Sequence, residues 1–304
     1  SNGTVVDEWI STEEPHMIRG LLVGETYTMV ETKPADGYTT AESIEFKVED
    51  TAEVQKHQML DDVTKVEINK TDVTDSKEIP GAKLTILDKD GKVVESWVSK
   101  KDPHMVEKLP VGTYTLREEQ APDGYLVAEE VSFEVKDSGE VQKVEMKDAR
   151  PVGKLVLKKT DAEDGSPLSG AEFELRIKKS GKVVATLVTD EEGVATSGDI
   201  PIASYKDGKM KKEIEYILVE TKAPDGYVRS EKEESVVFEY KDGKTKEIEI
   251  TKELTNERIP TGGYVKSPKT GDDTNIWLPI LLLVLSVGGI AGIFWYTKKK
   301  NHEE

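Results

Sequence analysis

Apolar and polar residues alternate in short stretches along most of the chain. Clear examples are KLTIL at residues 83–87, VSFEV at residues 131–135 and VVFEY at residues 236–240. Successive side chains of a strand point to opposite faces, so this pattern predicts half-buried β-strands. No long helical period precedes Ile276. The pattern therefore favours an all-β protein up to that residue.

A continuous apolar stretch follows at residues 276–297, where the alternation ends. As a helix, the residues from Ile276 to Tyr296 would be roughly 31 Å long, about the thickness of a bilayer core. Aromatic residues flank the stretch and three lysines follow it, which predicts a transmembrane helix with a cytoplasmic basic tail at residues 298–304. A buried core helix is the alternative, but the length of the apolar stretch and the lysines that follow it disfavour this interpretation.

Internal repeats organise the residues before this span. The motif YTMVETKPADGY ends at Tyr38, YTLREEQAPDGY ends at Tyr125, and YILVETKAPDGY ends at Tyr227. We therefore expect three repeats, at residues 1–62, 64–149 and 152–257, followed by a linker at residues 258–275. The first repeat lacks its opening strands, and the third carries extra residues around 199–213. Units this small, built from short strands, predict tandem antiparallel β-sandwiches.

Composition and charge narrow the function classes. The chain has 60 acidic and 42 basic residues, a net charge of −18 that disfavours nucleic-acid binding. Cysteine is absent, which excludes disulfides, thiolate zinc sites and cysteine nucleophiles. The chain begins Ser-Asn-Gly without a signal sequence, so we expect a piece of a longer protein whose export signal lies upstream.

Charged residues occur on the apolar faces of several predicted strands. In the second repeat, by the period of two, they are Lys70 beside Ile68, Glu118 beside Leu116, and Asp148 beside Met146. In the third repeat they are Lys159 beside Leu157, Glu220 beside Leu218, and Asn256 beside Leu254. Lys252 does not fit the apolar face that precedes Asn256, so we expect a bulge or a later strand start there. The first repeat keeps Glu31 and Asp61 but has no lysine strand.

Buried charges in a small sandwich should meet, because an isolated one is costly. Two outcomes are open. One is a hydrogen-bonded ion cluster. The other is a reaction, since burial favours a neutral lysine amine beside a protonated glutamate. Attack on Asp148 would release water and attack on Asn256 would release ammonia, and each would leave an amide between the first and last strands.

The repeated motif resembles a known sequence signature. Tyr216 to Tyr227 matches YxLxETxAPxGY at every fixed position, and Tyr114 to Tyr125 matches it with Glu119 in place of Thr. The repeats thus resemble the prealbumin-like domains, also called collagen-adhesin B-type or SpaA-type, of Gram-positive pilins and adhesins. These are small sandwiches with an immunoglobulin-like Greek key.

This resemblance implies an intramolecular isopeptide bond in each complete repeat. Lys70 and Lys159 match the reactive lysine of the family, and Glu118 and Glu220 match its catalytic glutamate. Asp148 and Asn256 match the acceptor, with an aspartate in the second repeat where asparagine is commoner.

A second resemblance lies just before the apolar span. Ser267-Pro268-Lys269-Thr270-Gly271 is similar to an LPxTG sorting signal, with Ser267 in place of Leu. It implies that a sortase cleaves between Thr270 and Gly271 and transfers Thr270 to an amine of the peptidoglycan cross-bridge. The membrane contact of the helix would then be transient. A plain membrane-anchored linker is the alternative.

Other chemistry has little support in the sequence. The four histidines form no metal-binding pair, and no phosphate loop or nucleophile elbow is present. We therefore expect no metal, no cofactor and no turnover enzyme, only autocatalytic cross-linking that occurs once in each complete repeat. The sequence favours a cell-wall-anchored adhesin stalk of a Gram-positive bacterium. The alternatives are a subunit of a sortase-assembled pilus, with another pilin as partner, and an adhesin module that binds a host matrix ligand through the insertion at residues 199–213.

Overall fold

The computed structural model describes residues 3–260, and every regular element in that range is a β-strand. The all-β prediction is therefore confirmed for this part of the chain. Residues 1–258 form one compact unit. Between residues 3 and 260 there is no helix with the length and apolarity that a membrane crossing needs. The helix predicted at residues 276–297 and the sorting motif at residues 267–271 lie outside the described residues.

The first repeat contains one antiparallel pair, β1 (Thr26–Met29) and β2 (Ile44–Lys47). Tyr27 lies opposite Phe46, and their rings stack with centroids 6.1 Å apart. The segment at residues 54–61 is not a strand, and Leu60 within it is 76% exposed. This repeat therefore contains only part of the two-sheet sandwich that the second and third repeats each form completely.

The second repeat is a sandwich of seven strands in two sheets. The strands are β3 (Lys65–Asp72), β4 (Lys83–Leu87), β5 (Val93–Val98), β6 (His104–Glu107), β7 (Gly112–Gln120), β8 (Val131–Val135) and β9 (Val141–Asp148). One sheet has the order β6-β3-β9 and the other the order β5-β4-β7-β8. The apolar residues of the alternating strands, including Ile68, Leu116 and Met146, fill the core between the sheets.

The third repeat has ten strands. They are β10 (Val152–Asp161), β11 (Glu172–Ile177), β12 (Val183–Val188), β13 (Val194–Thr196), β14 (Ile200–Pro201), β15 (Ala203–Lys206), β16 (Lys209–Glu213), β17 (Glu215–Lys222), β18 (Glu234–Val237) and β19 (Glu247–Asn256). One sheet joins β10 to β13, β14 and β19, and the other has the order β12-β11-β17-β18. The extra residues form a separate hairpin, β15–β16.

The prediction of purely antiparallel sandwiches is wrong in one respect. The first and last strands of each complete repeat pair in parallel, β3 with β9 and β10 with β19. A long connection through the other sheet joins the first strand to the last, and such a crossover allows the two strands to run in the same direction, which a short hairpin does not. Alternation along a strand carries no information on the direction of its partner. The parallel register places Asp72 opposite Asp148 and Asp161 opposite Asn256.

The expected bulge or late strand start near Lys252 is also wrong. Strand β19 runs from Glu247 to Asn256 with an unbroken register against β10. Lys252 is half-buried, and its Nζ lies 3.9 Å from Oε2 of Glu234 on β18. The aliphatic part of a lysine can cover apolar surface while its ammonium group reaches a carboxylate, so the strand needs no irregularity.

Gly153 on β10 tests the packing of the third repeat. A Cβ at this position would lie 2.4 Å from Cγ of the fully buried Phe238. We expect Gly153→Ala to lower the free energy of unfolding of this repeat by about 1–3 kcal/mol, the usual cost of overpacking. Denaturant unfolding followed by circular dichroism measures it.

Gly198→Ala is the matched control, because nothing lies within 4 Å of its Cβ position and its φ is not left-handed. It should leave stability almost unchanged. Equal stability of the two variants would contradict the packing of Phe238 against β10.

Candidate cross-linking sites

The three charged residues singled out in the second repeat meet inside the sandwich. Lys70 on β3, Glu118 on β7 and Asp148 on β9 have side chains that are 2%, 0% and 0% exposed. The Nζ atom of Lys70 contacts Oδ1 of Asp148 directly and lies 3.2 Å from Oε1 of Glu118. This buried site thus contains an amine, a carboxyl group and, in Asp148, a candidate acceptor for the amine.

Main-chain hydrogen bonds fix two members of this site. The amide N–H of Lys70 donates to Oε2 of Glu78 at 3.1 Å, and its carbonyl accepts from the amide of Ile79 at 2.7 Å. The amide of Ala128 donates to Oε2 of Glu118 at 2.7 Å. This leaves Oε1 of Glu118 directed toward the lysine.

The electrostatics of the site favour the neutral form of Asp148. Burial raises the pKa of Asp148 to about 7, against the opposing effect of the Lys70 charge. Oε1 of Glu118 and Oδ2 of Asp148 are buried and have no hydrogen-bond partner among the described residues. Burial therefore favours the protonated form of Asp148, the form in which a carboxyl group can lose water.

The third repeat has the same arrangement with an amide acceptor. Lys159 on β10 and Glu220 on β17 are each 1% exposed, and Nζ lies 3.6 Å from Oε1. Asn256 at the end of β19 donates through Nδ2 to Oε2 of Glu220 at 2.9 Å and to the carbonyl of Val228 at 2.7 Å. Burial lowers the pKa of Lys159, which favours the neutral amine. Oδ1 of Asn256 has no partner in the described range.

The first repeat keeps only the glutamate of this arrangement. Oε2 of Glu31 accepts a hydrogen bond from the amide of Ala41 at 2.7 Å. Glu118 accepts the corresponding bond from the amide of Ala128, and Glu220 accepts it from the amide of Ser230 at 2.6 Å. Asp61 is exposed and lies in no strand. The described residues therefore do not assemble a cross-linking site in this repeat.

A hydrogen-bonded network beside the second site was not foreseen from the sequence. The hydroxyl of Tyr125 and Nε of Arg150 each donate to Oδ2 of Asp72 at 2.8 Å. Burial raises the pKa of Asp72, but hydrogen bonds from Thr74, Tyr125 and Arg150 outweigh it, and the net shift is downward. The network fastens the ends of β3 and β9 next to Lys70.

The third repeat contains the same network. The hydroxyl of Tyr227 donates to Oδ2 of Asp161 at 2.7 Å, and Nε of Arg258 donates to the same oxygen at 2.6 Å. The hydrogen bond from Tyr227 is the main reason that the pKa of Asp161 lies well below its usual range. A shared spacing could have revealed both networks: in each repeat the Asp follows the lysine by two residues, the Arg follows the acceptor by two, and the Tyr ends the repeated motif.

Comparison with known families decides the relationship. Residues 64–150 and 153–254 match the model of the SpaA family, described as a prealbumin-like fold domain. The chain belongs to the SpaA family. The resemblance drawn from the glutamate-containing motif is thereby confirmed, and the second and third repeats are SpaA domains.

Several solved structures are similar to this chain. The Bacillus anthracis TIE protein is 30% identical with a TM-score of 0.50, and the match covers 77% of this chain but 42% of that one. A Streptococcal ancillary pilin is 18% identical, with a TM-score of 0.29 and coverage of 79% and 76%. BcpA, the major pilin subunit of Bacillus cereus, is 17% identical, with a TM-score of 0.26 and coverage of 64% and 99%. No curated protein matches the sequence.

Tyr125→Phe tests the network in the second SpaA domain. The variant loses the hydrogen bond to ionised Asp72, so we expect the free energy of unfolding to fall by about 1.5–3 kcal/mol at pH 7. The lowered pKa of Asp72 stabilises the fold above its unfolded value of about 4, and this contribution is lost as pH falls through the folded value. Urea unfolding at pH 7 and pH 3 should therefore give a smaller difference at pH 3.

Tyr240→Phe is the control, because its hydroxyl donates to the uncharged carbonyl of Tyr125 at 3.1 Å. Its cost should not change between the two pH values. A Tyr125→Phe cost that is also independent of pH would contradict the role of ionised Asp72.

Proposed function

We propose that this chain is the stalk of a surface adhesin anchored to the cell wall of a Gram-positive bacterium, and that isopeptide bonds cross-link its two SpaA domains. The observation that carries the proposal is the convergence of a buried amine, a buried carboxyl group and a buried carbonyl acceptor in both domains. Membership of the SpaA family supports a shaft role at the cell surface.

The reaction in the second domain balances without an outside reagent. Lys70 transfers one proton to Glu118 and becomes a neutral amine. Its Nζ attacks Cγ of protonated Asp148, the C–N bond forms, and the C–OH bond breaks. Glu118 relays one amine proton to the departing hydroxyl, which leaves as water, and Glu118 ends protonated.

The reaction in the third domain differs in its leaving group. Lys159 transfers a proton to Glu220 and attacks Cγ of Asn256. Because Nδ2 of Asn256 already donates to Oε2 of Glu220, the proton that the departing nitrogen needs is adjacent to it. Ammonia leaves, and a secondary amide joins β10 to β19.

A permanent ion cluster is the competing interpretation. Two buried oxygens of these sites, Oδ2 of Asp148 and Oδ1 of Asn256, have no hydrogen-bond partner among residues 3–260. Each unsatisfied buried group costs about 1–3 kcal/mol. Conversion of a lysine and its acceptor into one amide removes charge from the interior, which favours the reaction over the cluster.

The position of each bond suits a mechanical role. Force applied to the chain ends enters the second domain through β3 and leaves through β9, so it shears the two parallel strands. A bond between Lys70 and Asp148 carries this force directly. The chain between these two residues, a sequence separation of 78 that could extend to roughly 270 Å, is then excluded from stretching.

Anchoring follows from the sorting signal. A sortase would cleave between Thr270 and Gly271 and join Thr270 to a peptidoglycan amine, after transient retention by the apolar span at residues 276–297. The same signal would serve a pilus subunit, in which the amine belongs to another pilin.

The cross-links are tested by the intact mass of the 304-residue chain. The wild-type chain should be lighter than its sequence mass by one water and one ammonia. Glu118→Ala should lose only the ammonia, and Glu220→Ala should lose only the water, because each glutamate serves only its own domain. Glu119→Ala, an exposed neighbour, is the control and should match the wild type. An unmodified wild-type mass would leave only ion clusters.

Anchoring is tested by expressing the chain in a sortase-bearing Gram-positive host. Thr270→Ala removes the residue that sortase would transfer, so the protein should move from the wall fraction to the membrane fraction. Thr261→Ala changes the similar Ile259-Pro260-Thr261-Gly262 segment, which lacks a residue between Pro and Thr, and should have no effect. Wall attachment of the Thr270 variant would refute the sorting proposal.

A further inference from the structure

The insertion hairpin β15–β16 of the third domain contacts the second domain. Its turn contains Asp207 and Gly208, both with left-handed φ, of 54° and 64°. The hydroxyl of Tyr205 donates to the carbonyl of Gly124 at 2.6 Å, and its ring lies 5.2 Å from that of Tyr125 in an edge-to-face contact. The hairpin is thus a bridge between the two domains.

Arg150 strengthens this contact. Its guanidinium carbon lies 4.0 Å from the centroid of the Tyr205 ring, within the range of a cation–π interaction. Arg150 and Tyr125 are the side-chain donors to Asp72, whose Cα is paired with that of Asp148. Tyr205 therefore contacts both groups that fasten the strand ends at the second cross-linking site.

The turn of the hairpin reaches the other side of the same site. A Cβ on Gly208 would lie 2.3 Å from the carbonyl oxygen of Glu78, so only glycine allows this close approach. The carboxylate of Glu78 accepts the Lys70 amide, and Ile79 donates to the Lys70 carbonyl. The hairpin therefore packs against the segment that holds the main chain of the attacking lysine.

The hairpin also excludes water from this end of the second domain. Ile79, Ala121 and Tyr125 form an apolar cluster that Tyr205 closes, and Ile79 and Tyr125 are fully buried. The third domain lacks such a cover in the described part of the chain. No atom lies within 4 Å of a Cβ on Gly226, whereas Met210 would meet a Cβ on the equivalent Gly124 at 2.6 Å.

We propose that the β15–β16 hairpin of the third domain positions the cross-linking site of the second domain and excludes water from it. Tyr205 is the main positioning residue of the hairpin. This inference rests on the proposed isopeptide chemistry. The domain that receives the cover is the one with the acid acceptor, which must stay protonated to lose water. The amide acceptor of the third domain has no such requirement.

Several charged groups among residues 3–260 surround Asp148, and Asp75 lies beyond them, 3.5 Å from Arg150. Lys70 and Glu118 face Asp148 within the sandwich, and Arg150 and Asp72 lie at the strand ends. Since burial is the main cause of the raised pKa of Asp148, admission of water should lower that pKa. The reaction of the second domain should fall as pH rises above about 7 in the wild type, and at a lower pH when the cover is lost.

The test follows both bonds over time in the full chain made by cell-free translation. Linked peptides are quantified by mass spectrometry across a range of pH. Tyr205→Ala should slow formation of the Lys70–Asp148 bond by at least about tenfold, because small displacements of reacting groups have large effects. It should also move the pH limit of that reaction downward and leave the Lys159–Asn256 bond unchanged.

Two variants serve as controls. Tyr205→Phe keeps the ring contacts with Tyr125 and Arg150 and should restore most of the rate and the wild-type pH profile. Lys211→Ala changes an exposed residue of the same hairpin and should have no effect.

The outcomes separate the two proposals. If the wild-type chain forms no bond in the second domain, the isopeptide proposal fails for that domain. If the wild-type chain reacts and Tyr205→Ala reacts at the same rate with the same pH profile, the positioning role is overturned. Loss of both bonds in Tyr205→Ala would also overturn it, since the hairpin would then act on the folding of the third domain.

Discussion

The first and last strands of each complete domain pair in parallel, and this pairing positions the groups of each candidate cross-linking site. It brings residues that are far apart in sequence, such as Lys70 and Asp148, to the same end of one sheet. The inward faces of these strands are apolar, so the amine and the acceptor meet without water. A glutamate from the opposite sheet then completes the site, held in each complete domain by a main-chain amide.

Hydrogen bonds next to each site connect the ends of the parallel strands. In the second domain they join β3 to β9 through Asp72, Tyr125 and Arg150. In the third domain they join β10 to β19 through Asp161, Tyr227 and Arg258. The two domains differ in how the end beyond this network is covered. In the second domain a hairpin of its neighbour covers it, while Arg258 in the third remains 49% exposed. The insertion therefore has a structural explanation as a contact between domains.

The period-two pattern was sufficient to place Lys70, Glu118 and Asp148 on inward faces, because parity depends only on local geometry. The direction of strand pairing depends on the path of the whole chain, so the parallel pairs were not foreseen. The position of Lys252 could not be predicted for a related reason, since its partner Glu234 lies on a strand of the other sheet. The contact of Tyr205 with Tyr125 could not be inferred at all, because it joins two domains. The Asp–Tyr–Arg networks, in contrast, repeat at constant spacing and could have been found.

A high-resolution crystal structure of the chain would show whether Lys159 and Asn256 are joined by an isopeptide bond. We expect continuous electron density between Nζ of Lys159 and Cγ of Asn256, with a planar amide and a separation of about 1.33 Å. An intact side-chain amide on Asn256, with the two atoms about 3 Å or more apart as in a simple contact, would contradict it.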